Sequence, residues 1–173
     1  QYSLNSPYHL KLNKRKYIGK IMKIAIAADH NGFELKNNIK SQLEETGHEV
    51  EDVGPQHHDP QDDYPDYTKL LSENVSEGQS ERGIMVCGSG VGASVAANKV
   101  KGIRAAVCHD IYSAHQGVEH DDMNVLCLGS RIVGSEVVSE LIIAFTEACY
   151  SGEKRHQRRL NKVLDLEKQF HTT

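Results

Sequence analysis

The sequence lacks any apolar run near the roughly 20 residues that are needed to cross a bilayer, which argues against a transmembrane protein. It also lacks the excess of positive charge that is typical of nucleic-acid-binding proteins, because its formal net charge is −4. With 38% hydrophobic residues among 173, the chain has enough apolar side chains for a core and is not a disordered sequence. We therefore expect one globular domain that binds neither nucleic acid nor membrane.

The four cysteines lack the CxxC spacing that is typical of a metal site. Cys87, Cys108 and Cys127 each lie at or near the end of an apolar run, which is typical of reduced thiols in a cytoplasmic protein. Residues 57–59 (His-His-Asp) and 62–63 (Asp-Asp) fit no common metal-ligand spacing either, and we interpret this segment as a solvated acidic loop. We therefore expect a cytoplasmic location and no bound metal.

The first 22 residues differ in composition from the rest, because they carry five basic side chains and no acidic one. Serine and arginine are too sparse there for a typical transit peptide, and the chain begins at Gln. We interpret residues 1–21 as a leader that is disordered or vector-derived, and we expect the folded domain to span residues 22–173.

From Met22 onward, short apolar runs alternate with helical patterns. The residues 48–53 alternate like a half-exposed strand, which predicts a position at the edge of a sheet. Five rounds of alternation predict an α/β fold, namely a single Rossmann-like three-layer domain with a five-stranded parallel sheet and a C-terminal helix. The predicted strands are 23–28, 48–53, 83–87, 103–108 and 124–128. The predicted helices lie near 33–46, 67–78, 91–100, 111–118, 134–149 and 156–169.

Polar clusters follow four of the predicted strands, at residues 29–30, 87–92, 109–110 and 129–131. In open parallel sheets, ligands bind beyond the carboxyl ends of the strands. We therefore expect these clusters, and all the site residues named below, to share one rim of the sheet.

The segment 87–94 (CGSGVGAS) places three glycines at alternate positions directly after the third strand. Gly88, Gly90 and Ala93 match the G-x-G-x-x-G/A fingerprint of dinucleotide-binding folds, with Asp110 at a plausible distance for a ribose. That fingerprint normally opens the first βαβ unit, however, and little chain remains here for a substrate domain. A third interpretation is that the glycines serve only a tight strand-to-helix turn.

Cys87 favours a catalytic interpretation of this turn, because a thiol beside a helix N-terminus lies in an electropositive setting. Ser89 adds a hydroxyl within the same turn, and glycine N–H groups there can stabilise an oxygen that gains negative charge. A P-loop does not fit, since Lys99 comes too late in the sequence. We therefore favour an oxyanion site beside a base over a cofactor-binding turn.

Several motifs occur in a fixed order between Met22 and about Phe170, and together they resemble ribose-5-phosphate isomerase type B. That family also includes galactose-6-phosphate and allose-6-phosphate isomerases. The motifs are AADHNGFELK (27–36), DYPDY (63–67), CGSGVGASVAANK (87–99), GIRAAVC (102–108), EHDDMNVLCLGSR (119–131) and RHQRR (155–159).

The resemblance implies an enzyme that interconverts ribose 5-phosphate and ribulose 5-phosphate in the pentose phosphate pathway, through an enediolate and without a cofactor. Cys87 would remove the C2 proton, Ser89 would assist proton movement between the oxygens, and His120 would open the sugar ring. The enediolate oxygen would be held by the backbone amides of Gly88, Gly90, Val91 and Gly92.

The resemblance also implies a substrate-binding set, with Asp29 and Tyr64 on the sugar. The phosphate would be held by His30, Arg131, Arg155 and Arg159. Simpler interpretations remain open for single residues: Asp29 can cap the following helix, His120 can be a hydrogen-bonding residue, and the two arginines of the tail can be solvated surface charge.

Asp121 stands where the family commonly has asparagine. A carboxylate there only accepts hydrogen bonds and would repel a nearby phosphate, so it could alter the sugar preference or the pH optimum. Ala93 fits the subgroup that depends on a cysteine base, because another subgroup carries glutamate at that position.

Members of the family are homodimers, some of which form tetramers, and their sites borrow residues from both subunits. We expect a homodimer or homotetramer here, with Leu160, Val163 and Leu164 of the tail helix against a partner subunit. Two alternatives remain: isomerisation of allose 6-phosphate or galactose 6-phosphate, and a non-catalytic module that binds a phosphosugar or nucleotide.

Overall fold

Five parallel strands form one sheet in this computed structural model, which describes residues 20–170. The order across the sheet is β2-β1-β3-β5-β4, so β2 and β4 are the edge strands. The strands are β1 (Lys23–Ala28), β2 (Glu49–Asp52), β3 (Arg82–Cys87), β4 (Ala105–Val107) and β5 (Val125–Gly129). The predicted α/β fold with a five-stranded parallel sheet is therefore confirmed, as is the edge position of residues 48–53.

Six helices accompany the sheet within the described residues. They are α1 (Phe33–Glu45), α2 (Tyr64–Ser76), α3 (Val91–Ala97), α4 (Ile111–Asp121), α5 (Ser135–Glu147) and α6 (Lys154–Phe170). None of these helices has the length and apolar composition of a membrane span. The proposed leader at residues 1–21 falls almost wholly on residues 1–19, which lie outside the described part of the chain.

Alternate strand residues face opposite layers of helices, as the two-residue period of a strand requires. In β3, Ile84 and Val86 pack in a cluster with residues of α1, α4 and α5. Met85 and Cys87 face the other way, in a cluster with residues of α2 and α3. The sheet is therefore the middle of three layers, and Cys87 points towards the layer formed by α2 and α3.

Several element boundaries differ from the predicted ones, as at α2, α3 and β4. Helix α2 begins at Tyr64, three residues earlier than predicted, because Pro65 is suited to the first turn of a helix. Helix α3 ends at Ala97 rather than at 100, and β4 is shorter than residues 103–108. At this junction the side chain of Asn98 accepts from the Ala105 N–H (2.9 Å) and donates to the Ala105 carbonyl (2.8 Å), while Ala105 stays paired with β5 on its other side.

Candidate functional site

Cys87 ends β3, and the loop that follows curls back over its sulfur. Gly90 has a φ of 80°, a left-handed conformation that glycine adopts readily. In this conformation the Gly90 N–H points at the Cys87 Sγ, and the nitrogen–sulfur distance is 3.1 Å. A donor at that distance stabilises negative charge on sulfur. Only 4% of Cys87 is exposed, so the sulfur lies in a site from which water is largely excluded.

The loop after β5 holds the glycine loop in place. Ser130 N–H donates to the Cys87 carbonyl at 2.8 Å, and Arg131 N–H donates to the Gly88 carbonyl at 3.2 Å. A Cβ added at Gly129 would lie 2.7 Å from the backbone carbon of Ser89, so the two loops are in close contact. The Ser89 hydroxyl lies in this loop and accepts from the Val91 N–H at 3.3 Å.

Asp29 shapes the turn that follows β1. Its Oδ1 accepts from the N–H groups of Asn31 (2.9 Å) and Gly32 (3.1 Å), directly before α1 begins. The carboxylate therefore stabilises the turn and does not cap α1, whose N-cap is Gly32 without a side-chain hydrogen bond; Asp29 is only 4% exposed. A role on the sugar hydroxyls stays a prediction.

A chain of hydrogen bonds joins three loops at this rim. Arg131 Nη2 donates to Asn31 Oδ1 at 2.5 Å, and Asn31 Nδ2 lies 2.8 Å from His30 Nε2. His30 Nδ1 lies 2.7 Å from Asp62 Oδ1, which also accepts from the His30 N–H at 2.9 Å. The hydrogen bond to Asp62 raises the pKa of His30 above its ordinary value, although partial burial opposes this. His30 and Arg131 thus lie near the glycine loop, as predicted.

The interpretation of residues 57–63 as a solvated acidic loop is wrong for Asp62, whose side chain is 6% exposed. The segment after β2 folds back over the end of β1, because a Cβ added at Gly54 would lie 3.1 Å from the Ala28 nitrogen, and the Pro55 carbonyl accepts from Lys36 Nζ of α1 at 2.9 Å. Asp62 and Asn31 therefore join the candidate site through their contacts with His30; the sequence did not predict either, although Asn31 stands within the 27–36 motif. In the described residues, no three His, Cys, Asp or Glu side chains converge as metal ligands.

Tyr64 covers the glycine loop from the start of α2. A Cβ added at Gly92 would lie 2.7 Å from Tyr64 Cζ and 2.9 Å from its hydroxyl, so the phenol ring lies directly on this glycine. The rest of the Tyr64 side chain faces solvent, and 37% of the residue is exposed. Tyr64 therefore borders the loop that carries Cys87, and its predicted contact with the sugar stays a prediction.

His120 does not lie on this rim. Helix α4 extends to Asp121, so His120 occupies its last turn rather than the loop after a helix at 111–118. Because α4 connects two parallel strands, it runs back towards their amino ends. A rise of about 1.5 Å per residue puts His120 about 13 Å along the helix from Ile111. The expectation that all predicted site residues share one rim is therefore wrong within one chain.

His120 belongs to a second cluster of predicted site residues. Its ring stacks on that of His156, with centroids 3.9 Å apart, and its Nδ1 lies 2.7 Å from Gln116 Nε2. His156 is 1% exposed and its Nδ1 lies 2.7 Å from the Ser151 hydroxyl. Burial lowers the pKa of His156, and the neighbouring His120 lowers it further.

Arg155 and Arg159 flank His156 on α6, so they accompany this second cluster and are exposed. Arg155 Nε forms an ion pair with Glu153 at 2.9 Å. Asp121 is exposed at the end of α4. The Ser151 N–H donates to the Glu119 carbonyl at 2.9 Å, which ties the segment before α6 to the end of α4.

The predicted apolar face of the tail helix is divided between two environments. Leu160 is 7% exposed, so it is buried within its own chain and is not available to a partner. Val163, in contrast, is 50% exposed. Both residues line a groove of about 420 Å³ between β4, α4 and α6.

The other cysteines differ from Cys87 in their surroundings. Burial raises the pKa of Cys108 to about 11 and raises the pKa of Cys127 as well, so neither thiol ionises readily. Cys149 is exposed. Cys87, in contrast, lies at the carboxyl end of a strand, and its sulfur accepts a hydrogen bond from a backbone N–H.

Comparisons with known proteins identify relatives over most of the chain. A family model described as Ribose/Galactose Isomerase matches residues 24–163. Ribose-5-phosphate isomerase B from Escherichia coli (strain K12) is 44% identical over 145 residues, which is 84% of this chain and 96% of that protein. The D-erythrulose-4-phosphate isomerase of Pectobacterium atrosepticum is 39% identical over 135 residues, 76% of this chain and 87% of that protein. The solved structure of ribose-5-phosphate isomerase B from Clostridium thermocellum matches with a TM-score of 0.83 and 42% identity, covering 86% of this chain and 99% of that one.

Proposed function

The chain belongs to the ribose/galactose isomerase family, and from that premise we propose that it interconverts ribose 5-phosphate and ribulose 5-phosphate. Its relatives are named as sugar-phosphate isomerases, and it is an enzyme that isomerises sugar phosphates. We propose which sugar is the substrate, which residue is the base and what each side chain does.

The observation that carries the proposal is the environment of Cys87. Its sulfur accepts the Gly90 N–H at 3.1 Å, at the rim where a parallel sheet binds ligands. His30 and Arg131 lie on neighbouring loops and are suited to a phosphate. This arrangement supports a base and an anion site side by side.

The proposed reaction moves a hydrogen from C2 to C1 of the open-chain sugar. The Cys87 thiolate removes the C2 proton, the electron pair of that C–H bond enters the enediolate, and the resulting thiol returns a proton to C1. The amides of residues 88–92 would stabilise the enediolate oxygen, and the Ser89 hydroxyl would move a proton between the two oxygens. The atoms and electrons balance without an oxidant or a cofactor.

We further propose that the site is completed across a homodimer. His120, Arg155 and Arg159 lie in a cluster at the amino end of the sheet, whereas Cys87 lies at the carboxyl end. If these residues open the ring and bind the phosphate, a second subunit must bring them to Cys87. The exposed Val163 and the groove beside β4 are surfaces that such a partner could cover.

The sugar is the least constrained part of the proposal. A relative named for D-erythrulose 4-phosphate is 39% identical, so the four-carbon phosphate joins the six-carbon phosphates as an alternative substrate. Asp121 bears on this choice, since a carboxylate beside His120 changes which hydroxyl or phosphate group is tolerated. A cytoplasmic location is part of the proposal, and it is supported by the four free thiols.

A side-by-side assay of four substrates tests the proposed function. Ribose 5-phosphate, D-erythrulose 4-phosphate, allose 6-phosphate and galactose 6-phosphate are each incubated with the enzyme, and conversion is followed by NMR. We expect the highest kcat/KM for ribose 5-phosphate. A higher value for another sugar would transfer the assignment to it, and binding without conversion of any sugar would favour the non-catalytic module.

A further inference from the structure

Asp62 is a nearly buried carboxylate whose ionic partner among the described residues is His30. Its Oδ1 accepts two hydrogen bonds from that residue, one from the backbone N–H at 2.9 Å and one from the ring Nδ1 at 2.7 Å. Its Oδ2 is buried and has no hydrogen-bond partner among the described residues. A buried carboxylate with one unpaired oxygen is costly, so its position calls for a compensating positive charge.

The neighbouring contacts fix the tautomer of His30. Arg131 can only donate, so Asn31 must present its oxygen to Arg131 and its amide nitrogen to His30. His30 Nε2 then accepts from Asn31 in the neutral ring, and the proton resides on Nδ1, which donates to Asp62. A phosphate oxygen also accepts hydrogen bonds, so it requires a donor at Nε2 and therefore a doubly protonated ring.

We propose that Asp62 is a positioning residue that orients the His30 imidazole and stabilises its protonated form, so that His30 can donate from Nε2 to the substrate phosphate. The inference rests on the proposed function, in which His30 binds that phosphate. The added proton comes from solvent, and the Asn31 amide yields its place on Nε2 to the phosphate. Asp62 itself touches no substrate atom and acts through His30.

The charged surroundings of His30 agree with this role. The carboxylates of Asp62 and Asp29 both raise the pKa of the ring, with the hydrogen bond to Asp62 as the largest contribution. The His58 ring lies edge-on at 6.4 Å and is the other titratable ring in contact. Arg131 is separated from the imidazole by the Asn31 amide. Two carboxylates therefore favour the protonated ring.

The substitution Asp62→Asn removes the negative charge at this position and nearly keeps the shape of the side chain. An asparagine oxygen can still accept from the His30 N–H, so the loop contact is kept while the negative charge is lost. Asp63→Asn is the matched control, since it removes the same charge one residue away, where the side chain is exposed and does not contact His30. A purely structural role of Asp62 would be nearly indifferent to the first substitution.

The experiment measures the pKa and tautomer of His30 by ¹⁵N NMR and the binding of inorganic phosphate by calorimetry, both on the full chain. We expect Asp62→Asn to lower the pKa of His30 and to weaken phosphate binding about tenfold at pH 7.5. In the isomerase assay, KM should rise while kcat stays close to that of the wild type. The Asp63→Asn protein should match the wild type in all three measurements.

A double-mutant cycle shows whether Asp62 acts through His30. In a His30→Gln background, Asp62→Asn should cause no further loss of phosphate affinity. An equal loss in both backgrounds would overturn the inference, and so would an unchanged His30 pKa or an unchanged phosphate affinity in Asp62→Asn.

Two further outcomes are distinguishable. If Asp62→Asn does not fold, the wild type decides alone: a His30 that titrates at or below about 6.5, or carries its proton on Nε2, contradicts the inference. If the wild type binds phosphate in the expected Asp62-dependent way but isomerises no sugar phosphate, the proposed function fails and the coupling of Asp62 to His30 stands.

Discussion

The His156 imidazole is buried beneath that of His120, and burial lowers its pKa. A histidine with a lowered pKa binds fewer protons in the folded state than in the unfolded state. Its contribution to stability is therefore complete above about pH 6.5 and is lost as the pH falls towards the folded-state pKa.

We predict that the melting temperature falls between pH 7.5 and pH 5.5, and that His156→Gln makes this fall smaller. Differential scanning calorimetry across that range measures the effect. His57→Gln, which removes an exposed histidine, serves as the control, and its melting temperature should change with pH as that of the wild type does. Equal slopes for His156→Gln and the wild type would show that His156 is not held neutral.

The positions of single residues at the rim were predictable from the sequence where a motif named them, as for Cys87, His30 and Tyr64, and their roles stay predictions. Asp62 was not, because its contact with His30 spans 32 positions and depends on the path of the loop. Asp29 shows that two roles can fit one position, since a carboxylate at the end of a strand can cap a turn and also face a ligand.

The loops after β3 and β5 form one structural unit, because Gly129 leaves no room for a Cβ against the backbone of Ser89. Backbone atoms cannot rotate aside as a flexible side chain can. Any residue larger than glycine at this position must displace the loop that carries Cys87 and Ser89.

We predict that Gly129→Ala destabilises the fold by about 1–3 kcal/mol and reduces kcat/KM by more than the loss of folded protein explains. Gly134→Ala is the control, since a Cβ there meets nothing within 4 Å and should cost under about 1 kcal/mol. Urea unfolding and the isomerase assay provide both values. A fully active Gly129→Ala enzyme would contradict the contact.

Elements were predicted well because strands and helices have different periods, and glycine, proline and asparagine mark their ends. The errors are local. The predicted strand at 103–108 is shortened to β4 (Ala105–Val107), since the Ile103 N–H donates to the Val100 carbonyl and the Arg104 N–H donates to the Asn124 side-chain oxygen. The periodicity of apolar residues does not predict where a side chain takes the place of a backbone hydrogen-bond partner.

At the scale of the whole molecule, the two clusters of predicted site residues lie at opposite ends of the sheet. The sequence already contained a signal for this, because a helix between two adjacent parallel strands must run antiparallel to them. His120, late in α4, therefore could have been assigned to the amino end. How two chains meet depends on surface complementarity, which motifs do not encode.

A shared site predicts complementation between inactive variants. Cys87→Ala and Arg159→Ala proteins should each be inactive, and subunit exchange between them should restore up to about a quarter of wild-type activity, because half of the dimers are hybrids with one intact site of two. Light scattering measures the molar mass of the dimer, and the isomerase assay measures activity over time after the two variants are mixed. Mixing Cys87→Ala with Cys87→Ser is the control and should restore nothing, and no recovery in the test pair would contradict a shared site.

The most direct measurement follows the C2 hydrogen of ribose 5-phosphate in D₂O for the wild type and for Cys87→Ala, with Cys149→Ala as a control at an exposed thiol. We predict that Cys87→Ala lowers both deuterium exchange and ribulose 5-phosphate formation by about 10²–10⁴-fold, while the melting temperature and the binding of inorganic phosphate stay unchanged. Exchange and product formation at near wild-type rates in Cys87→Ala would show that another group removes the proton.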